Sequence, residues 1–214
     1  MTTFNPYQDG GNREELWNSI THGIGLLISI PALILLVLAG VRNGTAIHVV
    51  TFSIFGASLI LLFLMSTLLH SMPYKYKHIF AKFDHSAIYI LIAGTYTPFL
   101  LIAIGGTLGT VLLIIIWALA IMGVFIKFFF FMKFEKISTL FYIGMGWLII
   151  VAAKPVYAFL GFEGFMILVS GGLWFTLGTI FYGWRSLPYN HAIWHIFVLA
   201  GCMTMYYCVW VYLI

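Results

Sequence analysis

Long runs of apolar residues, separated by short polar or glycine-containing breaks, leave this chain one kind of solvent in which to fold. Crossing the ~30 Å hydrocarbon layer of a bilayer takes ~20 mostly apolar residues. Runs of about that length occupy 20–38, 47–69, 87–104, 108–131, 140–160, 165–181 and 192–214. In hydrocarbon, backbone N–H and C=O groups find no water and must pair within their own segment, so these runs predict helices. Strands of a membrane barrel would be shorter and would alternate polar with apolar residues. The weakest break, Gly105-Gly106-Thr107, carries no charge. Fusing the runs on either side would give ~45 residues, too many for one crossing, so two spans are expected there. The expected fold class is an all-α membrane protein, a seven-helix transmembrane bundle. Residues 20–214 form its single domain, and 1–19 form a short segment before it.

The chain is 63% hydrophobic and 7% charged, against ~25% charged in a soluble domain. Its few basic residues sit between the runs and report orientation. Arg13, Lys75, Lys77, Lys82, Lys127, Lys133, Lys136 and Arg185 fall to one side, and only Arg42 and Lys154 to the other. Positive charge stays inside, so the N-terminus is expected in the cytoplasm and the C-terminus outside, in a multi-pass protein of the cell membrane. No basic stripe suited to nucleic acid is present. The N-terminal residues, with Asp9, Arg13, Glu14 and Glu15, lack the pattern of a cleaved signal, so the first run is expected to be retained. Cys202 and Cys208, six apart on one helix, face different directions and are expected as free thiols. Pro31 and Pro98 fall inside spans, where membrane helices tolerate them.

Ionisable residues in a membrane helix are costly and mark function by default. His191 and His195 open the last span four residues apart, on one helical face. His70 ends the second span, with Ser66 one turn earlier. Asp84 follows a short basic loop. Glu15, Asn18 and His22 share a face at the start of the first span. The expected topology brings all of these to the cytoplasmic side, at similar depth. Three histidines at one level suit Zn²⁺ with water as fourth ligand, and His22 rivals them for the third position. Such a metal lowers the pKa of its water toward ~7 and yields a hydroxide nucleophile. Asp84 is then the candidate general base and Ser66 a donor to the water or a developing oxyanion. Glu15, Asn18 and His22 are expected to orient ligands or line the cavity. His48, at the opposite end of the second span, and His78, in the basic loop, are expected at the interface and in solvent. His85 should point away from Asp84.

The same residues carry a resemblance. Glu15-Leu16-Trp17-Asn18-Ser19-Ile20-Thr21-His22 resembles the E-x-x-N-x-x-T-H opening of the hemolysin III family, which groups with the progestin and adipoQ receptors. Ser66-Thr67-Leu68-Leu69-His70 followed by Asp84 resembles its S-x-x-x-H…D element, and His191-Ala192-Ile193-Trp194-His195 its closing H-x-x-x-H. The resemblance implies seven helices, a cytoplasmic N-terminus and an intramembrane zinc site held by His70, His191 and His195, with Asp84 on its water. It also implies ceramidase-like hydrolysis of lipid amides, as proposed for the wider superfamily.

The leading expectation is therefore a zinc-dependent intramembrane hydrolase of a lipid amide or ester, with membrane lipid as its partner. The alternative is a zinc-stabilised sensor or regulator of lipid or membrane-energy homeostasis. A pore-forming haemolysin or an ion transporter fits less well, because polar groups are missing from stretches such as 33–38 and 112–116.

Overall fold

The computed structural model describes residues 11–130 and 135–214, all-helical and without strands among them. Asp9 and Lys133, used above in reading charge, lie outside these residues, as does the end of the fourth run at 131. Helix α1 covers Asn12–Asn43, α2 Ala46–Ser71 and α3 Tyr74–Pro98, which widens into a π-helical turn at Phe99–Ile104. Helix α4 covers Gly106–Phe130, α5 Glu135–Gly146 and α6 Ala153–Gly183, with a 3-10 turn at Leu148–Ala152 between α5 and α6; α7 covers Asn190–Tyr212. Six stretches among the described residues are long and apolar enough to cross a membrane. Their outward faces are apolar too, with Leu27, Ile121 and Phe129 among the most exposed side chains. In water such a surface would aggregate, whereas lipid solvates it.

The fifth stretch, Ile137–Gly183, has 47 residues, about 70 Å if it were one straight helix. It is instead a hairpin. Trp147 Nε1 donates to Thr176 Oγ1 at 3.0 Å, and Tyr157 packs on Phe165 with ring centroids 5.5 Å apart. Partner numbers fall on one arm as they rise on the other, so the arms are antiparallel. The reversal is at Gly161, whose φ of 67° and ψ of −177° suit a residue without Cβ. The expected loop at 161–164 is therefore a sharp break inside a helical segment. The other glycine break is a true turn, with Gly105 and Gly106 both at positive φ.

Chain starts also differ from expectation. Residues 12–19 are helical, and α3 begins at Tyr74, so the basic loop is only a two-residue connection and Asp84 lies well inside a helix. A window tuned to apolar residues missed these turns because Arg13, Glu14 and Glu15 in the first, and Lys75, Lys77, Lys82 and Asp84 in the second, interrupt the apolar run.

Helices α1 and α2 are antiparallel, tied by Ser19 and Ser71 Oγ atoms 2.7 Å apart. Helices α1 and α7 are parallel, since His195 meets Asn18 and Tyr206 Oη donates to the Ala32 carbonyl. Helices α3 and α5 are parallel, joined by Tyr142 to His85 and Tyr96 to Met145. Tyr96 also repairs the interruption after α5. Its hydroxyl accepts the Ile149 N–H at 2.8 Å and donates toward the Met145 and Gly146 carbonyls at 2.9 Å. Backbone groups freed in a low-dielectric region need such a partner. Close packing uses small residues: a Cβ on Gly123 would fall 2.5 Å from the Tyr89 ring. Cys202 and Cys208 are buried free thiols.

Candidate metal centre

Four helices deliver polar side chains to one end of the bundle. The C-terminal turns of α2 bring Ser66 and His70, and the first turns of α7 bring His191 and His195. Helix α1 contributes Glu14, Glu15, Asn18, Thr21 and His22, and α3 contributes Lys77 and Asp84. One ring nitrogen from each of His70, His191 and His195 lies within 4.8 Å of the other two. Ligands 2.0–2.1 Å from a tetrahedral metal sit ~3.3 Å apart, so a modest rotation of the rings closes the set.

The hydrogen bonds around the rings fit a metal. Nδ1 of His70 is 3.0 Å from Glu15 Oε2, and Nδ1 of His195 is 3.1 Å from both the Asn18 carbonyl and Thr21 Oγ1. The Asn18 carbonyl can only accept, so it places the His195 proton on Nδ1 and leaves Nε2 with its lone pair. The Glu15 carboxylate does the same for His70. The Nε2 atoms of His70, His191 and His195 are buried and make no hydrogen bond within the protein. Buried polar atoms are almost always satisfied. Three unpartnered Nε2 atoms, with Nδ1 of two of the rings held by a carboxylate or a carbonyl so that their Nε2 lone pairs are free, suit a divalent ion.

The remaining predicted residues divide. Asp84 is 4% exposed and sits beside Ser66, close to His70. His22 is buried and stacked on His195, but it is outside the close trio. His78 is exposed, and His48 accepts the Thr45 N–H at the start of α2, a cap at the far end. Lys77, read from sequence only as an orientation signal, is 8% exposed and pairs with Glu15. Its spacing of seven from Asp84 would have placed both on one face, had α3 been known to start at Tyr74. Thr21 and Glu14 were also missed as contacts. Glu14 Oε1 accepts the backbone N–H of Tyr189 at 2.8 Å, just ahead of His191.

With this geometry in hand, the chain matches the family described as "Haemolysin-III related" over residues 11–206. The chain belongs to the haemolysin-III family. Hemolysin-3 of Bacillus cereus is 55% identical over 203 residues, covering 94% of this chain and 93% of its own length. The Hemolysin-3 homolog of Bacillus subtilis (strain 168) is 53% identical over 201 residues, covering 94% of each. The human monocyte to macrophage differentiation factor is 30% identical over 207 residues, covering 94% of this chain and 84% of its own length. That relative supports the link to the progestin and adipoQ receptors. Family and apolar helices together make this a multi-pass integral membrane protein, consistent with the cell membrane.

In this haemolysin-III protein His22 and Asp84, neighbours of the histidine cluster, line a cavity of about 920 Å³, which includes space open to the surroundings. His22 and Asp84 stand at its polar end. Leu62, Leu91, Trp147, Phe175 and Val198 are among the side chains that make the rest apolar. Thr95, Tyr96 and Met205 line both this cavity and a second one, which continues toward Phe165 and Leu168.

Proposed function

We propose that this haemolysin-III protein holds Zn²⁺ on His70, His191 and His195 and hydrolyses an amide or ester bond of a membrane lipid. The observation that carries the reading is the set of three orphaned Nε2 atoms beside a buried carboxylate, at the polar end of an apolar cavity. All-nitrogen ligation with a position left open suits catalytic zinc. When bound, the ion supplies Lewis acidity and acidifies water. Asp84 accepts a proton from the attacking water as its oxygen bonds to the carbonyl carbon. Ser66 donates a hydrogen bond to the oxygen on which charge develops. As the C–N or C–O bond breaks, Asp84 returns the proton to the departing nitrogen or oxygen. The products are a carboxylic acid and an amine or alcohol. The apolar cavity holds the acyl chain.

The same reading takes the Ile137–Gly183 hairpin as two crossings, for seven in all, with the metal end and its basic residues in the cytoplasm. Cysteines introduced at each end of the bundle, labelled from outside in intact cells, test this. Labelling at the metal end would reverse the orientation.

The test of function is zinc content and free fatty acid release from membrane lipid extract, compared with Asp84→Asn. The expected result is one zinc per chain in both and release only by the wild type. Equal release by both proteins refutes the assignment of Asp84. Zinc without release in either favours the alternative, a metal-stabilised sensor. That version is supported by ligands drawn from α2 and α7, so a bound ion ties distant segments together.

A further inference from the structure

His22 is a polar group that the metal centre does not account for. It is 1% exposed, yet neither ring nitrogen makes a hydrogen bond of ordinary geometry. Its ring is held on two sides. One face stacks on His195 with centroids 3.5 Å apart and planes within 12°, and Phe63 meets it edge-on at 5.2 Å. Ligands of one ion must aim at one point. A ring in a plane parallel to His195, and displaced from it by the stacking distance, does not aim where His195 aims, and His22 is outside the close trio. His22 does line the cavity, together with Asp84, where the other walls are mostly apolar. A buried imidazole without a partner costs stability unless something else satisfies it. A cavity with a few placed polar groups uses them to orient its ligand.

We propose that His22 contacts the substrate, hydrogen-bonding the polar linkage of a single-chain lipid amide whose acyl chain lies along the cavity. Stacking on His195 sets its distance from the metal end, so it fixes which atom of the lipid reaches Asp84. The choice of an amide rests on the hydrolase reading, but the hydrogen bond can be measured without turnover.

Trp147 and Trp194 line the cavity, so a brominated chain that enters it quenches their fluorescence. Two probes are compared in detergent, an N-dodecanoyl ethanolamine brominated on its chain and the matching bromododecane. Wild type should bind the amide more tightly. His22→Phe keeps a flat ring for the stack, and should lose about tenfold of that preference while binding bromododecane as before and keeping its metal. His22→Gln should recover part of the preference, and it decides the question if the Phe variant fails to fold. No amide preference in wild type, or the same preference in the variants, overturns the proposal. So does metal loss in both variants, which would make His22 a ligand. Amide preference with no acid released by wild type would end the hydrolase reading and leave the contact standing.

Discussion

Glu15 has two jobs that one substitution removes together and a second can separate. Its Oε2 meets both His70 Nδ1 and Lys77 Nζ. In Glu15→Ala, Lys77 stays with its side chain 10% exposed and no counter-charge, while the Glu15 site was 22% exposed. Breaking a fully buried pair costs ~3–5 kcal/mol and an exposed one ~0–1. Partial exposure places this loss at about 2 kcal/mol by the same scales. Separately, His70 loses the acceptor that fixes its tautomer. Losing such a partner typically weakens metal binding 10–100-fold, about 1.4–2.7 kcal/mol. Thermal unfolding in detergent with chelator present reads the first effect, and competition with a chromophoric chelator reads the second. Adding Lys77→Met removes the stranded charge but not the tautomer problem. The double variant should therefore regain most of the apo-protein stability and keep the weakened metal affinity. Recovery of both would show that Glu15 does not orient His70. Failure to recover stability would show that Lys77 is not the stranded group.

Glu14→Ala should also weaken metal binding, because Tyr189 sits at a φ of 58° that a non-glycine residue adopts only under constraint, and Glu14 holds its N–H. Tyr189→Gly accepts that backbone without strain, so the double variant should bind metal more tightly than Glu14→Ala alone, by the same chelator competition. Gly123→Ala places a methyl group 2.5 Å from the Tyr89 ring and should lower stability by ~1–3 kcal/mol through overpacking. A shift in the detergent melting temperature checks it, with no change expected in metal content.

Much of the architecture is legible in the sequence because hydrocarbon is a demanding solvent. Length, low charge and unbroken apolar runs leave only helices, and the glycine breaks at Gly105-Gly106 and Gly161 mark where the chain reverses. The histidine cluster is legible for a related reason. His70, His191 and His195 are too costly in a membrane to be incidental, and the i, i+4 pair on α7 shares a face by helix geometry alone. What the sequence could not show is which neighbours make the rings usable. The carbonyl of Asn18 and the carboxylate of Glu15 choose the tautomers, but a carbonyl leaves no mark in a residue pattern. Lys77 looked like a solvated charge because the start of α3 was invisible to an apolar window. Spacing alone left His22 open as a cavity-lining group or a rival ligand, because it gives a depth and depth says nothing about where a ring points. Composition and periodicity thus determined the solvent, the helices and the level of the site. Only side-chain packing decided which nitrogen atoms converge and which face the cavity, because those directions depend on contacts between helices far apart in sequence, 55 residues for Glu15 with His70 and 177 for Asn18 with His195.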